Sequence, residues 1–288
     1  LQIELAGGLK RDFPADQVLR VQTQYTARHI EADDRFARGQ FAPAAALYGE
    51  ARSTETRPWV RRLITAQLVW CYRALGEVEL AGGEFLLLIR DDPATPYFHC
   101  IPLAWIPSEP GRDLQRAARE WLRRDEMPAA ALLGASHLIL AGGGSHQAAL
   151  DKLTRLATNR DSNVAFLALA QTWRITAITA DAARIRQWRD TIERMPEPLR
   201  AGPYYVLGRA RAQQQQWDAA AQAWMRVPIL YPEHRRLAAQ SLWDAGRSLE
   251  KLDRAESAGR LYRELVARYP ESSLGGEVRR RLGKGNDE

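Results

Sequence analysis

The chain has 288 residues, 45% of them apolar and 26% charged, which supplies a sizeable core and excludes a disordered polyelectrolyte. No apolar run approaches the roughly 18 residues that a membrane-spanning helix needs, and two cysteines exclude a disulfide-stapled miniature. Basic less acidic groups, 41 − 35, leaves a net charge of +6, and 37 of the 41 basic residues are arginine.

In chain order, residues 1–24 differ in kind from the rest. Leu1, Ile3 and Leu5 alternate with Gln2 and Glu4, Gly7 and Gly8 supply turn chemistry, and Leu19 and Val21 alternate again beyond Pro14, so short strands are expected. A hairpin alone is marginal in water, so this one reads as the remnant of a small β module continuing upstream, or as an element leaning on the first helical pair. A removed leader or a cut is expected ahead of Leu1, which no basic-then-apolar stretch precedes. Residues 25–91 carry helical periodicity in two pairs, 26–39 with 42–54 and 57–75 with 77–91. Residues 92–126 open on DDPATPYFHCIPLAWIPSEPGRD, where five prolines rule out regular structure, and continue with Leu114, Ala117, Ala118, Trp121 and Leu122 at the spacing of one extra amphipathic helix. That loop carries Tyr97, Phe98, Ile101, Leu103, Trp105 and Ile106, too much apolar surface to leave in water; it either seals the array or forms part of a binding surface. Residues 127–196 read as two degenerate pairs, 127–141 with 145–158 and 163–179 with 181–195. Residues 197–270 hold two regular ones, 199–215 with 217–230 and 234–251 with 253–269, and 271–288 form a capping helix and tail.

Internal repetition organises this pattern. Gly208, Ala220, Trp224 and Pro232 are matched by Gly246, Ala258, Tyr262 and Pro270, each 38 residues on. A mid-helix glycine costs about 1 kcal/mol of propensity, so its recurrence predicts helices crossing too closely for a side chain, with Ala220 and Ala258 as the matching small surface. Trp224 and Tyr262 would fill the space one turn further on, and the prolines would end the second helix. Upstream, Ala44-x3-Tyr48 and Ala81-x3-Phe85 stand 37 apart, Pro93 follows Ala81 by 12, and Trp188 with Pro196 fits the same frame. Arg184 occupies the small-residue place of its unit and Thr56 the proline place of the first, so those pairs should cross differently or be shifted by one.

The order Tyr204-x2-Leu207-Gly208, Ala220-x3-Trp224, Pro232, and again Leu242-x2-Ala245-Gly246-x2-Leu249, Ala258-x3-Tyr262, Pro270, resembles the tetratricopeptide repeat. The resemblance implies an all-α right-handed solenoid of about six helix-turn-helix pairs, with the β remnant at the front, acting as a protein-binding scaffold. Residues 239–282 are also similar to the C-terminal repeats of bacterial envelope proteins of the Tol-Pal cell-division-coordinator and outer-membrane-assembly lipoprotein type. That likeness implies a periplasmic or cell-envelope setting.

Catalytic chemistry finds no footing in the motifs. His29, His99, His137, His146 and His234 are scattered without an HExxH helix, Gly142-Gly143-Gly144 lacks the Lys-Ser/Thr of a phosphate loop, and Gly134-Ala135-Ser136-His137 lies on a helix where no nucleophile elbow can form. Cys71 and Cys100, without CxxC spacing, are expected to be inert. No catalytic residue, metal or cofactor is expected. What remains is a surface: inner-helix positions hold Tyr205 with Arg209 and Trp243 with Arg247, again 38 apart, while Trp70 and Trp173 hold the corresponding rungs upstream. An aromatic and an arginine per rung can stack on a peptide and donate to its carboxylates, which points to a protein or peptide partner of acidic or C-terminal character. The competing reading half-buries the aromatics and leaves the arginines solvating the wall. The net charge and the Arg279-Arg280-Arg281 run raise nucleic acid as a rival partner, but basic residues are spread along every helix with acidic ones between them. A second rival makes this array the recruiting arm of an enzyme encoded upstream.

Overall fold

A computed structural model describes residues 2–4, 9–14, 23–142 and 144–284. At the front, β1 (Gln2–Glu4) pairs antiparallel with β2 (Lys10–Asp12), Ile3 opposite Arg11. Leu19 and Val21, where alternation was expected to resume, lie outside the described residues. Fourteen α-helices follow among the described residues. The six expected pairs are α1 (Ala27–Ala37) with α2 (Phe41–Thr54), α3 (Pro58–Leu75) with α4 (Val78–Asp91), α6 (Pro128–Leu138) with α7 (Gly144–Leu156), α8 (Ser162–Thr176) with α9 (Ala182–Arg194), α10 (Ala201–Gln213) with α11 (Trp217–Leu230), and α12 (Arg235–Glu250) with α13 (Ala255–Arg268). The extra helix is α5 (Arg112–Leu122), and α14 (Gly275–Lys284) closes the far end. The fold is the expected all-α helical-repeat solenoid.

Local chemistry fixes the boundaries. Thr26, Asp161 and Asp181 accept hydrogen bonds from the first-turn amides of α1, α8 and α9, and Pro58 and Pro128 open α3 and α6 where a missing donor costs nothing. Between the helices of four pairs, the turn is made by a residue in the left-handed region: Gly39 (φ +74°), Gly76 (+83°), Gln215 (+55°) and Asp253 (+55°). Their spacing of 37 and 38 residues repeats that of the packing residues.

The recurring glycines serve a purpose other than the one expected. A Cβ on Gly208 would lie 2.5 Å from Trp224 Nε1, and one on Gly246 2.4 Å from Tyr262 Cε1, so the notch in the first helix receives the aromatic ring of the second rather than its backbone. The Trp224 indole then donates to the Tyr205 carbonyl at 3.0 Å. Ala220 and Ala258, fully buried, let the second helix approach closely enough for the ring to reach. Backbone-to-backbone contact occurs instead at Gly134, whose Cβ would meet the Ala118 carbonyl at 2.4 Å, and joins α6 to α5. Ala44, Tyr48, Ala81 and Phe85 are all fully buried. In α9 the shift by one holds: Arg184 is exposed and Ile185, buried, packs in its stead beside Trp188. Thr56 needs no proline to end α2, because Pro58 two residues on disfavours helix before it and the Glu55 carboxylate holds Arg57 at 2.7 Å.

One apolar core runs from Ala66 in α3 to Val278 in α14, and a smaller one lies under α1, α2 and the opposite face of α3. The first helices of the last four pairs touch in succession, α6 with α8, α8 with α10 and α10 with α12, and α12 also meets α3. Helix α6 is buried along its length, the pattern of a helix covered on all sides.

Candidate functional site: the inner wall and its plug

What covers the inner face of α6 is the proline-rich loop. After a 3-10 turn at Phe98–Cys100, residues 101–107 cross the inner wall without regular structure, turning where the Leu103 amide donates to the Ile101 carbonyl at 3.0 Å, and Phe98, Cys100, Ile101, Leu103 and Trp105 are all buried. The loop is therefore a plug, the first of the two roles its composition left open. Its backbone polar groups, removed from water, are met by side chains of the inner helices. Arg73 of α3 donates to the Cys100 carbonyl (3.0 Å) and His137 Nε2 of α6 to the Pro102 carbonyl (2.9 Å). Ser136 Oγ accepts from the Ala104 amide (2.9 Å), and Gln171 of α8 donates to the Ala104 carbonyl (3.2 Å). Arg174 fixes the receivers, donating at 2.7 Å to both the Ser136 carbonyl and Gln171 Oε1. Trp105 seats its indole on Gly202 of α10, where a Cβ would fall 1.9 Å from Cε2.

Burial sets the protonation states. His137 is held neutral, its pKa pushed down to about 4 chiefly by desolvation. Burial lowers Arg73 to about 10 and Arg174 to about 9, the latter aided by the neighbouring positive charge of Arg209. The thiols of Cys71 and Cys100 are each pushed up to about 12, which removes them from thiolate chemistry.

The structure separates the rungs expected on the concave face. Trp70 lies buried at the end of α3, with Arg73 over its ring at 4.3 Å and His234 against its edge. Trp173 is buried and stacked on Trp188 at 5.0 Å, facing α9 rather than the interior. Tyr205 and Trp243 are buried as well, the first donating to Asp244 (3.1 Å) and the second packed on Tyr262 at 5.3 Å beneath Arg281. The aromatic faces are thus taken up inside the wall, and beside Tyr205 and Trp243 the neighbouring ring is the one that fills the glycine notch, Trp224 or Tyr262. Arg209, part-exposed, and Arg247, exposed, are the members that reach solvent. Around them the fold assembles residues that repeat spacing alone does not single out: Arg174 and Gln171 of α8 and Asp244 and Gln240 of α12. Arg174 Nε and one Arg209 Nη are buried without a hydrogen-bond partner. Asp244, its pKa raised by burial, is engaged by Tyr205 and by Gln240 at 3.2 Å and forms no ion pair with either guanidinium. The adjacency of Ser136 and His137 in an otherwise apolar helix was the sequence signal that something polar crosses α6.

Fold and site together define a helical-repeat protein whose inner wall is closed by its own loop. Residues 240–272 match the tetratricopeptide repeat family. Among curated proteins compared by sequence, none matches the chain. It is similar to a solved structure of the assembly chaperone of RpL4 (Acl4), residues 1–338, at 18% identity over 91% of this chain and 97% of that one, with a TM-score of 0.35. No helix among the described residues is long and apolar enough to cross a membrane.

Proposed function

We propose that the protein is a non-enzymatic scaffold that docks an acidic segment of a protein partner on the inner wall between α8, α10 and α12, with Arg209 and Arg247 as its contacts. A single observation carries the reading: Arg174 and Arg209 bring two guanidinium groups together, each with a buried N–H lacking a partner, and neither forms an ion pair. A desolvated cation without a counter-ion is costly, and a carboxylate supplied from outside offsets that cost while completing the hydrogen bonds. Arg247, exposed one helix further along, extends the same charge towards solvent. The tetratricopeptide match over α12 and α13 supports a protein rather than a small molecule as the main partner of this wall. Acidic residues interleaved with the basic ones argue against a nucleic-acid partner. A bacterial envelope setting rests here on the sequence likeness of residues 239–282 alone.

The test is quantitative co-purification from the native host with the wild-type chain and the Arg209→Ala/Arg247→Ala double variant. Arg247 is exposed and Arg209 part-exposed, and neither side chain makes a hydrogen bond or ion pair with the described residues, so the variant should fold normally and lose the acidic partner by at least tenfold. Equal recovery of every protein by the two chains would move the docking site elsewhere.

A further inference from the structure

Beside the plug, where the end of α3 faces the start of α12, two adjoining hollows of about 190 and 440 Å3 share Ala74, Ile106, Arg235 and Arg236 in their walls. The smaller has an apolar side made by Leu103, Trp105 and Leu114 and a polar side made by the first turn of α12. No side chain caps that turn, so the amides of Arg235, Arg236 and Leu237 have no partner within the helix and carry its positive end.

His234, which precedes α12 and lines the same hollow, supplies an independent observation. Its side chain is 6% exposed, and its Nδ1 stands 2.9 Å from Arg73 Nη2. A guanidinium can only donate, so Nδ1 accepts and the proton of the neutral ring sits on Nε2. That Nε2 is buried and without a hydrogen-bond partner; the Glu233 carboxylate, at 3.9 Å, is beyond bonding distance. Burial, Arg73 and His99 keep the ring neutral, so Nε2 remains a single donor awaiting an acceptor. Arg236, exposed, makes no ion pair or hydrogen bond with the described residues.

We propose that the smaller hollow binds an apolar carboxylate, with its oxygens on the first-turn amides of α12, His234 Nε2–H and Arg236, and its aliphatic or aromatic body against Leu103, Trp105 and Leu114. The charge balance selects a carboxylate over a phosphate: of the three arginines in the walls, Arg235 is paired with Glu271 while Arg73 and Arg236 form no ion pair, and Glu233 offsets one of these two, which leaves a single positive charge for the ligand to match. Burial raises the pKa of Glu233, so this carboxyl opposes the ligand less than an ordinary one would. Two sources carry the required chemistry, a small free acid and the C-terminus of a partner chain ending in an aliphatic residue. Only the second rests on the protein-binding reading above.

Calorimetric titration of the full chain with hexanoate, phenylacetate and N-acetyl-alanyl-leucine, each against its amide, tests the site. At least one acid should bind, and its amide should bind at least tenfold more weakly, about 1.4 kcal/mol. Arg236→Gln should lose at least tenfold in affinity with an unchanged melting midpoint, and Glu233→Gln should bind more tightly. Binding of the small acids alone assigns the site to a free ligand, and binding of the peptide alone to a chain terminus; either keeps the carboxylate. No heat with any acid, an amide equal to its acid, or an unaffected Arg236→Gln overturns the proposal. Arg209 and Arg247 do not line the hollow, so acid binding retained in the double variant that loses its partner separates this site from the docking wall.

Discussion

Lowering the pH through the histidine range tests the bond by which His137 holds the plug. His137 donates from Nε2 to the Pro102 carbonyl at 2.9 Å and is held neutral in the fold, its pKa lowered from 6.5 to about 4. In the unfolded chain the same ring titrates near 6.5. Below that value the unfolded chain takes up a proton that the native state refuses, so stability is intact above pH 6.5, falls as the pH drops, and levels off beneath about pH 4. Each tenfold change in proton affinity is worth about 1.4 kcal/mol, so the fall from 6.5 to about 4 places the loss from this one group at roughly 3 kcal/mol by pH 4, a substantial part of a typical folding free energy. Urea unfolding between about pH 7.5 and pH 4, run on the wild type and on His137→Gln, isolates the contribution of this ring. The glutamine amide can keep the donor to Pro102 while removing the titration. Other shifted groups, His234 and Glu233 among them, remain in both chains and cancel in the difference. Glu55, held down to about 2 by Arg57, loses its contribution only between the ordinary carboxylate range and about pH 2, mostly below the window. The variant should therefore be the less pH-sensitive by about 3 kcal/mol. Superimposable profiles would refute the reasoning, since they would mean the ring is not desolvated beneath the plug.

Gly246→Leu should drive a side chain into the Tyr262 ring and cost on the order of 1 to 3 kcal/mol or more, read as a lowered thermal midpoint; an unchanged midpoint would show that the ring does not occupy the notch. Trp105→Ala should cost about 3 to 5 kcal/mol by emptying the space over Gly202, and a loss below about 1 kcal/mol would mean the plug is not part of the core. Neither Cys71 nor Cys100 should react with a thiol reagent in the native chain at neutral pH, while both should react in denaturant; rapid native labelling would contradict their burial.

The helices were legible in the sequence because repetition and capping chemistry are local. Gly208 and Gly246, their aromatic partners and the terminating prolines are fixed by contacts within one pair, so a spacing of 38 residues carries most of the information needed to place them. The direction of the aromatic rings was not legible. Whether Tyr205 and Trp243 face a ligand or a neighbouring helix depends on how far the second helix can approach, and the ring that fills each glycine notch decides it. Nor was the receiving side of the plug: Arg73, Ser136, His137 and Gln171 lie on three helices and meet only because one irregular segment crosses all three. Gly39 and Gly76, 37 apart, were a readable repeat signal that packing residues alone obscured, and their counterparts Gln215 and Asp253 show why, since the left-handed turn there is held without glycine.

The plug also changes what kind of object the array is. In an open solenoid each repeat contacts only its neighbours, so stability is close to a sum over adjacent pairs and unfolding can begin at either end. Here Arg73 of α3 bonds to His234 across 161 residues of sequence, Arg235 lies over the Phe41 ring of α2 at 5.0 Å, and the plug inserts apolar side chains between the helices that bring these ends together. Contacts of such separation require long loop closures before they reward the chain, which slows folding and couples the second pair to the sixth. Once formed, they oblige the pairs from α3 to α13 to open together, because freeing either flank exposes Trp105 and Leu103 to water. The docking proposed above would gain from that coupling: Arg209 and Arg247 sit on helices whose spacing is fixed from both sides, which would limit the ordering entropy a docking segment must overcome.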